Sequence, residues 1–377
     1  MDDVAIAGAG PAGAFAAAIL ARAGLKVRVF DRARFPRHKL CGDTLNPGAL
    51  AVLQRHVDVA GLIERSDPIH GMRLTGPGGV RVDGAYGAGV AGRSLTRSVL
   101  DRWLIARAEE AGAQFEQEVT VRGALTSNGR VSGLELAGRD GRALSHPARL
   151  VIGADGRRSA LAIGRGLSRQ PLRPRRWAIG SYFTGVTGMT SLGEMHVRRG
   201  HYIGVAPVPG GLTNVCLVVP HSSSDRPLSQ PAESLLAAVR ADPELSPRFT
   251  GARAVDAPVM LGPMAVDTPV AGEPGLLLAG DAAGFIDPMT GDGMRFALMG
   301  AELAAGIVQA ALDGGMAIDR AHLELARRRR EAFQAKWRFN RALRSLVAAP
   351  AGVTAAAAAA RVLPSVFTRV IQYAGDC

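Results

Sequence analysis

The sequence predicts an α/β protein, in which a Rossmann-like nucleotide-binding domain is interleaved with a β-sheet domain and followed by a C-terminal helical segment. Three observations predict it. The N-terminus carries a strand, a glycine turn, a helix and a second strand; the middle carries short alternating strands; and GLLLAGDAAG is another buried strand that runs into a glycine turn. At 377 residues the chain exceeds the size at which one hydrophobic core stops growing, so two packed bodies are expected.

The N-terminal unit is a complete strand, helix and strand. DVAIAGAG predicts a strand, apolar residues then recur with helical spacing as far as Gly24, and LKVRVFD alternates into a second strand that Asp31 closes. Glycines permit a tight turn and close approach of the backbone to a pyrophosphate at the helix N-terminus, while Asp31 can accept hydrogen bonds from ribose hydroxyls. The fingerprint glycines are Gly8, Gly10 and Gly13.

The next elements alternate between helices and hairpins. Asn46 and Pro47 resemble an N-cap followed by a first-turn proline. The Gly-Pro-Gly-Gly turn of MRLTGPGGVRVDG and the pair Asn128-Gly129 predict two hairpins, with an amphipathic helix from Leu95 to Ala111 between them. ARLVIGADG then predicts a buried strand that ends at a glycine turn.

The remaining elements interleave the two domains. Short strands are predicted between Trp177 and Val219, and helices over Ala232 to Ala241 and Met294 to Ala311. We expect the nucleotide-binding domain to comprise residues 1–70, 93–170 and 263–320, the β-rich domain residues 71–92 and 171–262, and the C-terminal helical region residues 321–377.

Composition narrows the class of protein. Three widely spaced cysteines, without a C-x-x-C pair or a histidine at ligand spacing, predict neither a disulfide framework nor a metal site and indicate a reducing compartment. The uncharged N-terminal run contains GAGPAG and follows two aspartates, so we expect a cytoplasmic protein. The formal charge of +12 comes from scattered arginines without a recognition module, which argues against nucleic-acid binding.

Four separated motifs together resemble FAD-dependent oxidoreductases of the p-hydroxybenzoate hydroxylase-like fold, and especially the geranylgeranyl reductase family. GAGPAG with Asp31 resembles the ADP-binding fingerprint, and RSVLDRWL the helix whose arginine contacts FAD. GADGRRS resembles the Asp-Gly motif, and GDAAG with PMTGDGM resembles the stretch that holds the ribityl chain and faces the flavin. The resemblance extends from Val4 to about Ala311 and implies an FAD-binding domain with a β-sheet substrate domain.

The resemblance implies a set of cofactor contacts. GLLLAGD also offers a strand-end carboxylate to a polyhydroxy chain, and the N-terminal amides of the following helix suit an anionic ring. Because the sequence contains one G-x-G-x-x-G, NAD(P)H is expected to dock transiently at the flavin, unless another donor reduces it. The expected FAD contacts are Gly8, Gly10, Pro11, Ala12, Gly13, Asp31, Arg32, Arg37, Cys41, Gly42, Arg97, Asp155, Gly280, Asp281, Pro288, Gly291, Gly293 and Met294.

The loop FPRHKLCGD carries the first candidate catalytic residue. A similar run in geranylgeranyl reductase-like proteins implies that Cys41 lies beside the isoalloxazine and Arg37 near the phosphates or the ring of FAD. Two roles for Cys41 stay open: proton donation, if its thiol pKa suits, or the filling of space by a small side chain.

The substrate sheet departs from the family. The Y-x-W-x-F-P stretch of prenyl reductases aligns with Tyr202, Gly204, Ala206 and Pro207, without either large aromatic, and APVPGG instead resembles a turn of flavin hydroxylases. The W-x-W-x-I-P stretch of flavin halogenases is also absent.

Two further candidate catalytic residues lie in this sheet. Alternation places Glu194, His196 and Arg198 on one face of a strand, with Tyr202 on the same face if the strand continues. Facing the cavity, His196 would deprotonate or orient a substrate and Tyr202 would hydrogen-bond it; facing solvent, they are the polar side of a sheet.

The basic stretch ARRRREAFQAKWRFNRALRSL, residues 326–346, predicts an amphipathic helix. Two interpretations stay open: peripheral contact with an anionic membrane, useful for an oily substrate, or a terminal helix packed on the domain with solvated arginines.

These observations predict an FAD-dependent oxidoreductase with a small, lipophilic substrate. We expect a monooxygenase that hydroxylates an aromatic or quinone-like compound through a flavin C4a-hydroperoxide. The alternatives are reduction of an alkene by reduced flavin, as in geranylgeranyl reductases, and a non-enzymatic flavin-binding sensor. The oligomeric state is not indicated.

Overall fold

The secondary structure follows the predicted order, and the computed structural model describes residues 1–39, 43–170, 176–220, 226–285, 289 and 291–375. The strands are β1 (Asp2–Ala7), β2 (Val27–Asp31), β3 (Thr44–Leu45), β4 (Asp67–Ile69), β5 (Gly71–Gly76), β6 (Val80–Ala85), β7 (Gly92–Ser94), β8 (Gln114–Gln117), β9 (Thr120–Ser127), β10 (Arg130–Ala137), β11 (Ala143–Gly153), β12 (Arg176–Thr184), β13 (Leu192–Arg198), β14 (His201–Val208), β15 (Leu212–Pro220), β16 (Arg253–Ala254), β17 (Val259–Leu261), β18 (Gly272–Glu273) and β19 (Leu276–Leu278). The helices are α1 (Pro11–Arg22), α2 (Pro47–Gln54), α3 (Ala60–Ile63), α4 (Arg97–Glu110), α5 (Ala160–Gly164), α6 (Arg226–Ser229), α7 (Pro231–Ala241), α8 (Gly293–Leu312), α9 (Ala321–Ala348), α10 (Pro350–Val362) and α11 (Pro364–Gly375).

The first sheet has a parallel core, whose inner strands β1 and β19 are mostly apolar and buried. Its order is β18-β19-β11-β1-β2-β8, with β19, β11, β1, β2 and β8 parallel, and the hairpin β9–β10 extends from β11. Helices α1, α4 and α8 cover one face, where Phe15, Leu104 and Leu298 are fully buried. The carboxyl ends of the parallel strands therefore meet at one edge, where ligands of such sheets bind.

The second sheet has the order β16-β12-β15-β14-β13-β5-β6 and is antiparallel except for the parallel pair β13–β5. One face packs on α7 through Phe183, Leu217 and Leu235. The other face carries Ala178, Val197 and Tyr202 toward Met264 and Met289, which belong to the connections of the first sheet. The substrate sheet thus lies against the edge where the parallel strands end.

Of the C-terminal helices, α9 packs against α8, while α10 and α11 pack against β5 and β6. Among the described helices, α8 alone is long and apolar enough to cross a membrane, and half of its apolar window is buried inside the protein. Strands β3, β7 and β4 form a small third sheet, in the order β3-β7-β4. The strands predicted for the β-rich domain all lie in the second sheet, while the exact domain boundaries stay a prediction.

Candidate active site

The three fingerprint glycines have different structural roles. Gly8 has a φ of 93°, and a Cβ there would lie 2.5 Å from the Ala154 carbonyl oxygen. A Cβ on Gly13 would lie 1.9 Å from the Gly8 carbonyl oxygen, whereas one on Gly10 would meet only Arg37 Nη2, at 3.5 Å. Gly8 and Gly13 therefore allow the strand and helix to pack closely, and Gly10 leaves its open side to a ligand.

Asp31 closes β2 at the same edge of the sheet. Its Oδ2 accepts a hydrogen bond from Ala9 N at 2.9 Å and its Oδ1 one from Ala33 N at 2.8 Å. A carboxylate has about four lone-pair sites, so it can also accept hydrogen bonds from ribose hydroxyls. Arg32, the next residue, is exposed beside it.

An elongated cleft runs along this edge. Its first part, about 430 Å³, lies beside β2 and α5. Its second part, about 90 Å³, lies between the glycine loop and the start of α8, and both parts share Gly10, Lys39 and Gly156. The predicted contacts that line the first part are Gly8, Gly10, Asp31, Arg32, Arg37 and Asp155, and those that line the second are Gly10, Pro11, Ala12, Arg97, Gly280, Asp281, Gly293 and Met294.

Two polar atoms in the lining fit a bound dinucleotide. In the part of the chain that the structure describes, Arg37 Nε and Asp155 Oδ1 are buried without a hydrogen-bond partner. Burial raises the pKa of Asp155, against a hydrogen bond from Ser159 that lowers it. A ligand that accepts from Arg37 and donates to Asp155, as a phosphate and a ribose hydroxyl do, would satisfy both atoms.

Asp101 orients the two arginines that the motifs placed near the cofactor. Arg97 donates to its carboxylate twice, from Nε at 2.8 Å and from Nη2 at 2.9 Å, and Arg37 Nη2 lies 3.1 Å from Oδ2. Asp101 itself is fully buried. The pairs leave the arginines preorganised beside the cleft, which suits an anionic diphosphate.

The far end of the cleft is formed by the turn after β19 and the start of α8. Gly280 has a φ of 59°, and a Cβ there would lie 3.0 Å from the Ala12 Cβ, so this turn sits directly on the glycine loop. Asp281 lies 4.0 Å from Arg157 Nε. Gly293 and Met294 bring the positive N-terminal end of the α8 dipole to the cleft.

Five predicted cofactor contacts are not among the residues that line the cleft. Gly13 is buried behind Gly8, and Gly291, at a φ of 69°, lies outside the lining. Gly42 and Pro288 lie outside the described residues, as does Cys41, so their contacts and the role of Cys41 stay predictions.

The geometry corrects the predicted face of Tyr202. The strand turns back after Arg198, and the hairpin register pairs Val197 with Tyr202 and His196 with Ile203. Paired residues share a face, so Tyr202 and His196 lie on opposite faces. Tyr202 is on the face toward Met264 and Met289, and it is 3% exposed.

His196 is packed inside the sheet on the α7 side. Its ring bonds Thr75 Oγ1 at 2.8 Å and Glu194 Oε2 at 2.9 Å, and the residue is fully buried. Burial raises the pKa of Glu194, but hydrogen bonds from His196 and Arg248 outweigh it and hold the pKa below its usual range. His196 therefore does not reach the cleft, where the predicted catalytic role would require it. It faces neither the cavity nor the solvent, the two surroundings that were predicted.

Sequence reasoning missed a buried carboxylate that joins the cofactor loop to the substrate sheet. Asp43, directly after Cys41-Gly42, is 4% exposed and accepts from Tyr182 Oη at 2.8 Å, from Asn214 Nδ2 and from Arg97 N at 3.1 Å. Burial raises its pKa to about 6, against the hydrogen bonds from Tyr182 and Asn214. The Cys-Gly-Asp sequence was the available signal, but its partners lie 139 and 171 residues away.

Comparisons with known proteins identify the family and the fold. The FAD binding domain family matches residues 1–245. Digeranylgeranylglycerophospholipid reductase 1 of Methanopyrus kandleri is 32% identical over 82% of this chain and 81% of its own length, and menaquinone reductase of Mycobacterium tuberculosis is 34% identical over 80% and 75%. A geranylgeranyl bacteriochlorophyll reductase-like protein from Thermoplasma acidophilum superposes with a TM-score of 0.78 at 23% identity, over 92% of this chain and 87% of that chain.

These findings confirm the predicted fold class, the family resemblance and the FAD cofactor. The expected preference for a monooxygenase over a reductase finds no support, because both relatives are named reductases.

Proposed function

This chain belongs to the FAD binding domain family of FAD-dependent oxidoreductases, and from that premise we propose that it reduces an isolated alkene in an isoprenoid-type, lipophilic substrate. The two relatives are named for a digeranylgeranylglycerophospholipid and for menaquinone, compounds that both carry isoprenoid chains. A family name alone leaves the substrate open, so the proposal depends on a feature of this chain.

That feature is an apolar cavity of about 140 Å³ over the flavin-facing side of the second sheet. Met72, Leu74, Met195 and Val197 form one wall, and Phe339, Leu343, Val353 and Phe367 of the C-terminal helices form the other. Small-molecule pockets usually measure about 300–1,000 Å³, so this cavity holds a segment of an apolar chain rather than a whole lipid. Methionines make such a wall adaptable.

The lining of the cavity includes Met289, from the segment that precedes α8, and Leu346, which is 40% exposed. In this proposal an oily chain enters at Leu346 and extends toward Met289. The small residues Gly204 and Ala206, where the prenyl reductases have large aromatics, leave this part of the sheet open; a Cβ on Gly204 would meet no atom closer than 3.9 Å.

When bound and reduced, FAD would supply the hydride for an alkene carbon, and the neighbouring carbon needs a proton. Tyr202 is one candidate donor, since it pairs with the cavity residue Val197 and so shares the face of the sheet that the cavity covers. Cys41, two residues before Asp43 in the sequence, is the second candidate. The apolar walls exclude water from the site where the alkene would react. NAD(P)H is proposed as the electron donor.

The product distinguishes the candidate reactions. FAD-loaded protein, reduced without oxygen, is mixed with geranylgeraniol, and the product is analysed by mass spectrometry while flavin absorbance is followed. Alkene reduction predicts a product with two added hydrogens and oxidised flavin, formed anaerobically. A product that needs oxygen and contains an added oxygen atom would establish the monooxygenase instead, and no substrate-dependent flavin oxidation would favour the sensor. Anaerobic bleaching by NADPH or NADH tests the donor separately.

A further inference from the structure

Among the described residues, a buried arginine on α9 has no carboxylate partner. Arg329 is 7% exposed, donates one hydrogen bond from Nη2 to the Ala283 carbonyl oxygen at 2.6 Å, and has no partner at Nε. Its guanidinium lies 6.0 Å from the Phe333 ring centroid and 5.7 Å from that of Trp337. Burial lowers the pKa of Arg329 to about 10. A buried charge is costly unless it is paired, so this site favours an anion.

Arg329 lines a cavity that is large enough for a small molecule. The cavity measures about 420 Å³ and lies between α9, residues 266–269, the turn after β19 and the start of α8. Arg169 and Arg341, both exposed, also line it. Its volume lies in the range of about 300–1,000 Å³ that is usual for small-molecule pockets.

Three carboxylates share the cavity without neutralising Arg329. Asp292 is 1% exposed and lies 3.4 Å from Lys336 Nζ, and Asp281 lies 4.0 Å from Arg157 Nε. Asp267 exchanges backbone hydrogen bonds with Arg169. Among the described residues, none of these carboxylates forms an ion pair with Arg329, and its pKa is shifted by burial alone.

We propose that this cavity binds a phosphate group, with Arg329 as the buried ligand and Arg169 and Arg341 at its rim. A phosphate offers three or more oxygens to separate guanidinium donors, whereas a carboxylate offers two. Asp281, Phe285, Gly293 and Ala297 line both this cavity and the FAD cleft, so the phosphate-bearing molecule lies beside the cofactor. The proposal does not depend on which substrate the enzyme reduces. The phosphate belongs either to a nucleotide or to an isoprenoid phosphate.

The first test measures inorganic phosphate binding to FAD-loaded protein by thermal unfolding, at constant ionic strength with chloride as the reference anion. Phosphate is expected to raise the melting temperature saturably without changing the flavin spectrum. Arg329→Met is expected to weaken phosphate binding by about tenfold or more, because a charge-assisted hydrogen bond is lost. Arg330→Met is the matched control, since Arg330 is the next residue on the same helix and is exposed.

Arg341→Met, at the exposed rim, provides a second variant that does not disturb the core, and a several-fold weaker affinity is expected. If Arg329→Met does not fold, the wild-type titration and Arg341→Met decide the matter. Absence of saturable stabilisation of the wild type by phosphate, or equal stabilisation of all three variants, would overturn the proposal. Ordered water would then be the hydrogen-bond partner of Arg329. Competition by 2′-phosphoadenosine diphosphoribose or by farnesyl phosphate then distinguishes a nucleotide from an isoprenoid source.

Discussion

At the scale of single residues, different glycines of the loop are required for folding and for cofactor binding. Gly13→Ala would place a Cβ 1.9 Å from a backbone oxygen, so it must displace the strand or the helix, whereas Gly10→Ala meets only the flexible end of Arg37. We expect Gly10→Ala to fold yet to bind FAD about tenfold more weakly, about 1.4 kcal/mol, because its methyl group occupies the space that a pyrophosphate needs.

Gly13→Ala is expected to be destabilised by about 1–3 kcal/mol or more through overpacking. Urea unfolding of the FAD-free variants measures the loss of stability, and flavin fluorescence titration measures the affinity for FAD. Equal FAD affinity of Gly10→Ala and the wild type would contradict the assignment of the open side of Gly10 to the cofactor.

Asp43 gives the protein a pH dependence whose sign follows from its environment. Its pKa is about 6 when folded and near 3.8 in the unfolded chain, so the folded state binds the proton more tightly. The stabilisation is complete below about pH 4 and is lost as the pH rises through about 6. At about 1.4 kcal/mol per unit, the loss is about 3 kcal/mol.

Asp43→Asn cannot ionise, so its unfolding free energy should fall less than that of the wild type between pH 4 and pH 6. Urea unfolding at a series of pH values measures the slope. Asp256→Asn, an exposed carboxylate in the same part of the molecule, serves as the control and should keep the wild-type slope. Identical slopes for Asp43→Asn and the wild type would show that another group titrates.

Residues whose roles come from local backbone geometry were predictable from the sequence. Gly8, Gly10 and Asp31 lie at the ends of strands whose apolar pattern is unmistakable, so their convergence follows from parallel topology. Asp43 and Arg329 were not predictable, because their roles depend on burial by residues far away in sequence. Alternation placed Tyr202 on the face of His196 only if the strand continued. A two-residue turn after Arg198 reverses the chain instead, so Tyr202 lies on the opposite face.

At the scale of elements, signals at the termini predicted helices and hairpins well. Asn46 caps α2 by accepting from Ala49 N at 2.8 Å, and the pair Asn128-Gly129 has φ values of 51° and 75° at the turn between β9 and β10. The parallel pairing of β13 with β5 was not predictable, because 115 or more residues separate the strands and no local pattern records the register.

The position of the C-terminal helix α11 depends on a lysine that also forms a buried ion pair. Lys336 on α9 lies 3.4 Å from Asp292 at the start of α8, with the two side chains 5% and 1% exposed, and its Nζ donates to the Ala374 carbonyl oxygen at 3.1 Å and to that of Tyr373. A cation at the last carbonyls of α11 also suits the negative end of that helix dipole. Lys336 thus ties α11 to the rest of the molecule.

Lys336→Met is expected to lower the free energy of unfolding by about 3–5 kcal/mol, because Asp292 stays buried without its cation. Limited proteolysis should then cleave the C-terminal helices faster. The double variant Lys336→Met, Asp292→Asn should recover part of the loss, and Arg338→Met, an exposed cation on the same helix, should change little. A single variant as stable as the wild type would mean that the ion pair does not anchor α9 to α8.

At the scale of the whole molecule, the interleaved chain forms a cleft and a cavity of different chemistry. The first sheet brings strand-end turns that suit a dinucleotide, and the second sheet, with α9 to α11, brings an apolar cavity. The sequence indicated the cleft through its motifs. The apolar cavity was not predictable, because its walls come from four regions that the chain visits between residues 72 and 374.

The use of this cavity by substrate can be tested without touching the cofactor site. Ala356 on α10 lines the cavity, and Ala355 beside it is exposed on the same helix. Ala356→Phe places a ring where the proposal puts the isoprenoid chain, so kcat/KM for geranylgeraniol should fall about tenfold or more, while FAD content stays that of the wild type. Ala355→Phe adds the same ring at the surface and should leave kcat/KM unchanged. Equal turnover by both variants would exclude the cavity as the substrate site, and the alkene would then have to reach the flavin by the open side of the cleft.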